Sequence, residues 1–291
     1  MGRPKELQRL LDWRLPRDVG FRQVSAAVRA PFDLEDIQIG PGDGREIRLY
    51  PTAKRVRTFF GAIAIADSTR VQLMLESGRL PVYYFPVADV RMDLLVPGTR
   101  RGTSATKGEA TYLTIDTGKN SASDAAWRYN ASPAGGPDLS GLIAFRWRAM
   151  DAWYEEDEEV IAHARDPFHR IDVLRSARRV EVRIGGSVVA DTRRSRMLFE
   201  TSLPVRYYLP REDVHLDLLT PSGTVTACAY KGQTSQYWTF REDVRDVAWS
   251  YASPSPEVSA IAGMVCFFNE RVEISVDGVV QPRPRTPWSS G

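Results

Sequence analysis

The chain states nearly the same passage twice. Residues 80–95 read LPVYYFPVADVRMDLL and residues 203–219 read LPVRYYLPREDVHLDLL, and each is followed by a Lys-Gly step, at Lys107-Gly108 and Lys231-Gly232. Trp127-Arg128-Tyr129 then answers Trp249-Ser250-Tyr251, and Ile143-Ala144-Phe145 answers Val265-Cys266-Phe267. A duplication limits the fold severely, because one architecture must suit both copies. At about one hundred residues, each copy is long enough for a core of its own. What both copies keep is expected to serve the fold, and what one copy has lost is a candidate for function.

Each copy reads as β structure. Val180-Glu181-Val182-Arg183-Ile184 alternates, Gly185-Gly186 turns, and Ser187-Val188-Val189-Ala190 returns, a hairpin pattern that Arg55 to Phe59, Gly61 and Ile63 to Ile65 repeat in copy one. Further strands are expected at Val205 to Leu209, Val214 to Leu219, Thr224 to Tyr230, Gln236 to Phe240 and Val272 to Val276, broken by Pro210, Pro221-Ser222-Gly223 and Gly232. The predicted class is mainly β, with small antiparallel domains in tandem. The predicted organisation is an N-terminal helix and arm over 1–47, with the helix at 4–15, a first repeat over 48–156, a join over 157–177, a second repeat over 178–280 and a flexible tail over 281–291.

Charge does not dictate a partner. Thirty-nine basic residues against 37 acidic ones leave +2, spread along the chain, so no basic stripe points to nucleic acid. The N-terminal run is too charged for a secretory signal and no segment is apolar enough to span a bilayer, so a cytoplasmic protein is expected, as monomer or homodimer, with no membrane partner. Two isolated cysteines, Cys228 and Cys266, with three histidines are too few for a paired-ligand zinc site, and no disulfide framework is implied. No metal or other cofactor is expected.

The run Cys228-Ala229-Tyr230-Lys231-Gly232, then Tyr237-Trp238, Ala248-Trp249-Ser250-Tyr251, Val265-Cys266-Phe267-Phe268 and Val272 to Gly278 resembles the bacterial family called domain of unknown function 427. The tandem arrangement, with its acidic Trp-Tyr-Glu-Glu stretch and His-containing join, is similar to two-copy members. The resemblance covers roughly residues 48–280 and implies a β-tent fold. It implies no common activity. A nucleotidyltransferase label sometimes attached to the family finds no Asp-x-Asp pair and no phosphate-cradling glycine loop in this sequence.

Candidate chemistry falls in two places. In repeat two, Cys228, Tyr230, Lys231, Tyr237, Trp238, Trp249 and Tyr251 combine aromatic walls with polar tips, as a small-molecule pocket does. Strand alternation would set Cys228 and Tyr230 on one face, and Trp249 and Tyr251 on another common one. Repeat one has Ser104, Thr106 and Leu113 where repeat two has Cys228, Tyr230 and Trp238. That difference points to repeat two. Two readings stand for several of these residues: Trp249 persists as Trp127 and suits core packing, Lys231 persists as Lys107 and suits a turn, and Cys228 is a nucleophile near a lysine or an inert buried thiol.

The join is the second place. His163, Arg165, Asp166, His169, Arg170 and Asp172 put six ionisable groups within ten positions. One reading makes His163 or His169 an acid-base group facing an interdomain cavity, with Arg165 or Arg170 holding an anionic ligand. The other makes the segment a linker in which both arginines neutralise the acidic run 155–159. The expected function is binding and transformation of a small aromatic or carbonyl-bearing metabolite by acid-base hydrolysis, cyclisation or isomerisation. The alternative is a non-catalytic binding or scaffold module.

Overall fold

The computed structural model describes residues 46–131, 136–241 and 244–289, and the expected N-terminal helix lies outside them. The protein is mainly β, with two tandem copies of one antiparallel domain. In copy one a seven-stranded sheet runs in the spatial order Ile47–Pro51, Gln72–Glu76, Val82–Pro86, Leu142–Phe145, Ser121–Tyr129, Gly108–Asp116 and Leu95–Ser104. A four-stranded sheet runs Glu158–Glu159, Ala152–Glu155, Val56–Phe60 and Ile63–Ser68.

Copy two repeats both sheets strand for strand. Its larger sheet runs Ile171–Arg175, Arg196–Glu200, Arg206–Leu209, Val265–Phe267, Val244–Ser250, Gln236–Phe240 and Leu219–Ser222. Its smaller sheet runs Val279–Val280, Glu273–Val276, Val180–Ile184 and Ser187–Thr192. The hairpin bulge recurs too, at Thr58/Phe59 and at Val182/Arg183. Trp127 stands opposite Tyr112 and Ala144, and Trp249 opposite Tyr237 and Cys266, so the duplicated tryptophans occupy one register.

Period-two alternation decides which face of the larger sheet each residue serves. Leu73, Leu75, Tyr83, Phe85, Ala126, Ile143 and Phe145 join Val56 and Ile65 of the smaller sheet in one core. Their neighbours Met74, Tyr84, Trp127 and Ala144 form a second cluster on the opposite face. Copy two sorts its residues likewise, with Met197, Leu209, Trp238, Val265 and Phe267 in the main core, and Leu198, Tyr208, Tyr237, Trp249 and Cys266 behind the sheet.

Three expected elements differ. Val214 to Leu219 is not one strand: Val214 makes a single bridge to Ala190, Leu216–Leu218 is a 3-10 turn, and the strand begins at Leu219. The apolar alternation Val214, Leu216, Leu218 imitates a strand, yet the Leu218 N–H turns back to the His215 carbonyl at 3.1 Å. Of Thr224 to Tyr230 only Ala227–Cys228 is strand, and the chain then turns, with the Lys231 N–H on the Cys228 carbonyl at 3.3 Å. Ile171–Arg175, expected within the join, pairs with Arg196–Glu200 as the counterpart of Ile47–Pro51, its apolar pattern obscured by the flanking charges.

Candidate functional site

The rear face of each larger sheet holds a buried ion pair set among aromatic rings. Glu76 ends the strand Gln72–Glu76 and meets Lys107, and Glu200 ends Arg196–Glu200 and meets Lys231. All four side chains are buried, none more than 7% exposed. Each lysine reaches inward from a turn closed by a glycine in the left-handed region, Gly108 at φ 85° and Gly232 at φ 92°. Residues with a Cβ adopt that conformation only with strain.

In copy one the pair lies at the floor of a cleft of about 520 Å³, counting the part open to solvent. Tyr84, Tyr112, Trp127 and Tyr129 line it, with Arg79, Arg100 and Arg146. The Trp127 indole N–H donates to the Tyr84 hydroxyl at 3.1 Å, which fixes both rings edge to face. Arg79 approaches Glu76 at 3.4 Å, and the Arg100 guanidinium lies 4.6 Å above the Tyr112 ring. Desolvation lowers the pKa of Arg146. With Lys107 the lining carries four cationic side chains beside the Glu76 carboxylate.

Copy two has the same floor with different walls, in a cleft of about 450 Å³ on the same count, open part included. Arg206, opposite Leu198, takes the place of Val82, opposite Met74. Phe268 follows Phe267 as Arg146 follows Phe145, so an aromatic ring replaces a cation. The Arg206 guanidinium is bound at both ends by Glu270, at 2.7 and 2.8 Å. Burial opposes the Glu200 carboxylate, but Lys231 and a hydrogen bond from His169 outweigh it and hold its pKa down to about 2. Burial likewise opposes the Lys231 ammonium, and Cys228 and Glu200 together reverse that and raise its pKa.

The residues singled out from sequence divide between cleft, core and join. Lys231, Cys228, Tyr237, Trp249 and Tyr251 all line the second cleft. Burial raises the Tyr237 pKa to about 12 and that of Tyr251 well above the usual phenol value. Trp238 faces the other way, into the main core, because it is one residue from Tyr237 on the same strand. Tyr230 does not share a strand face with Cys228; it sits in the turn and reaches the join, where its hydroxyl accepts the Asp166 N–H at 2.7 Å.

At the join the two histidines flank Tyr230. His169 stacks on that ring at 4.0 Å and donates from Nε2 to Glu200 at 3.0 Å, so it touches the second cleft's floor through the carboxylate. His163 meets the same ring edge-on at 5.8 Å and lines a small depression beside the stacked rings of Trp147 and Trp153. Its Nδ1–H donates to the Ala164 carbonyl at 2.7 Å, and burial lowers its pKa to about 4. That imidazole is neutral at pH 7.

Neither arginine of the join lines the cleft of either repeat. Arg165 donates to the Ala229 carbonyl at 2.9 Å and approaches Glu257 at 3.7 Å, while Arg170 is exposed and pairs with Asp172. The linker reading needs correction as well, because Lys54 pairs with Glu155, and Arg57 with Asp157. The join is an ordered strap: Val160 and Ala164 are buried in the first core, and Phe168 packs edge-on against Tyr50 at 5.1 Å. The expected flexible tail also has a place, since Trp288 lies 5.6 Å from the Arg206 guanidinium over the second cleft.

Sequence reasoning missed both carboxylates. A signal was present, since Leu73-Met74-Leu75-Glu76-Ser77 answers Met197-Leu198-Phe199-Glu200-Thr201 at the spacing that relates Lys107 to Lys231. Arg79, Arg100 and Arg146 offered none, being brought together only by the fold.

Two tandem antiparallel domains, each with a Lys–Glu pair behind its larger sheet, define the class of protein. The chain belongs to the family described as Domain of unknown function (DUF427), whose family model matches residues 48–156 and 172–278. No curated protein matches the chain. Among the described residues no helix is long and apolar enough to cross a membrane.

Proposed function

We propose that the protein binds a small, anionic, ring-bearing metabolite in the cleft of the first repeat and acts on it by acid-base chemistry at Lys107. One observation carries this reading. Both copies keep the Lys–Glu floor and the aromatic walls, but only the first places Arg79, Arg100 and Arg146 around them. A carboxylate or phosphate entering there meets guanidinium forks suited to paired hydrogen bonds. The rings of Tyr112 and Trp127 offer flat apolar contact to the rest of the ligand. Lys107, steered by Glu76, is a proton donor and a positive partner for charge developing on a carbonyl oxygen.

Binding without turnover is the second reading, favoured by how deeply Glu76 and Lys107 are buried, at 1% and 5% exposure. Calorimetric titration of the full-length protein with benzoate and with uncharged benzyl alcohol tests the shared claim. Benzoate is expected to bind at one site per chain and benzyl alcohol to bind at least tenfold more weakly, a difference of about 1.4 kcal/mol. Arg146→Phe, which gives the first repeat the second repeat's residue, is expected to abolish the preference. Equal binding of both probes, or an unchanged preference in Arg146→Phe, would remove the basis for an anion site. Product analysis after incubation with ring-bearing carboxylates that bind then separates the two readings, since binding alone leaves the ligand unchanged.

A further inference from the structure

We propose that the cleft of the second repeat is a separate binding site, for a neutral planar molecule carrying a carbonyl-type acceptor, and that Trp288 fills it as a displaceable placeholder. The charge in this cleft is already matched. Arg206 is held by Glu270 and Lys231 by Glu200, and His169 occupies the other Glu200 oxygen. A further buried anion or cation would have no counter-charge, so the lining selects an uncharged ligand.

The walls select a flat one. Trp249, Phe268 and Trp288 surround the Arg206 guanidinium at 5.6 to 5.7 Å, and the Trp249 and Phe268 rings lie 4.4 Å apart. Trp288 is supplied by the tail. In copy one the chain that leaves the smaller sheet turns into the join, with Val160 and Ala164 in the core.

Trp288 fits the place imperfectly. Among the described residues its buried indole nitrogen has no hydrogen-bond partner, and the fully buried Tyr208 hydroxyl on the cleft wall, set edge to face with Trp249 as Tyr84 is with Trp127, finds no acceptor for its own proton. Buried polar groups left in this state are costly and uncommon, and a ligand carbonyl would accept the Tyr208 hydroxyl proton. The tail itself is lightly held. After Val279–Val280 no strand pairing holds it among the described residues; besides the Gln281 N–H on the Ile274 carbonyl at 2.8 Å and the ring contacts of Trp288, it is tied to the domain by the Thr286 hydroxyl on Glu270 at 2.7 Å. Segments with so few bonds open at low free energy.

The test uses full-length protein labelled with 5-fluorotryptophan, the Trp288 resonance being assigned from Trp288→Phe. Benzamide, a neutral planar carboxamide, is expected to move that resonance saturably towards its solvent-exposed position below about 10 mM, the weakest affinity reasonable for so small a ligand. Benzoate, the same shape with a charge, is expected to leave it in place. Thr286→Ala, which loosens the tail and spares the cleft wall, is expected to tighten benzamide binding several-fold, and Tyr208→Phe to weaken it to a similar degree. A Trp288 resonance that benzamide does not move, or that benzoate moves equally, overturns the proposal. So does a Thr286→Ala protein with unchanged benzamide affinity. Benzoate binding at the first cleft leaves Trp288 unmoved, so the two sites are read separately.

Discussion

His169 donates its Nε2 proton to Glu200 at 3.0 Å, and this hydrogen bond ties the strap between the repeats to the floor of the second cleft. Tyr230 completes the connection by stacking on His169 and accepting the Asp166 N–H. A residue that copy one lacks is therefore spent on docking the join. At Tyr230 the difference between copies marks an interdomain contact.

Tyr230→Phe is expected to destabilise the protein by about 1–3 kcal/mol, because the buried Asp166 N–H loses its acceptor while the stacked ring remains. Thr106→Val, at the matching turn of copy one, removes a hydroxyl contact to Ser104 at 3.2 Å in a half-buried place and is expected to cost less than about 1 kcal/mol. Paired denaturation curves measure the difference. Equal effects would detach Tyr230 from the docking role.

His163 predicts a pH dependence. Burial lowers its folded pKa to about 4 from an ordinary 6.5, so between those values the unfolded chain binds a proton that the folded one does not. Stability from this group is full above pH 6.5 and falls as the pH drops towards 4, by an amount on the order of 3 kcal/mol. Glu200, held at about 2, adds its own loss at lower pH, as the pH falls from the ordinary carboxylate range towards that value. His163→Asn is expected to flatten the upper part of the profile only. Melting temperatures taken from pH 7.5 to 4 check this, and an unchanged slope in the variant would assign the loss to other groups.

The duplication, the antiparallel class and the shared face of Trp249 and Tyr251 were legible because strand alternation and repeated motifs are local properties of a chain. Sidedness was not. Tyr237 and Trp238 read as one aromatic patch until the smaller sheet defines an inside, which sends Trp238 to the core and Tyr237 to the cleft. Arg79, Arg100 and Arg146 come from three separate parts of the first repeat, and no spacing rule links them. The comparison of copies would have reached Glu76 and Glu200 had it begun a few residues before Leu80. Trp288 was illegible for another reason, since a Pro-rich segment carries no periodicity that points to a cleft.

The paired Lys–Glu floors distinguish a structural from a functional origin. Removing one partner leaves a buried charge alone, so Glu200→Leu or Lys231→Met is expected to cost about 3–5 kcal/mol. The double replacement leaves neither charge and is expected to cost less than either single change, its remaining penalty coming from the hydrogen bond that His169 loses. The same cycle in copy one, with Glu76→Leu and Lys107→Met, is expected to follow the same order. An apolar pair that folds nearly as well would mean that stability alone does not explain why both copies keep the charges. In that doubly replaced copy one, benzoate affinity is expected to fall at least tenfold, about 1.4 kcal/mol, because Lys107 no longer faces the anion at the cleft floor. Retained affinity in a stable double variant would place the anion among the arginines alone and leave the ion pair as a relic of the fold.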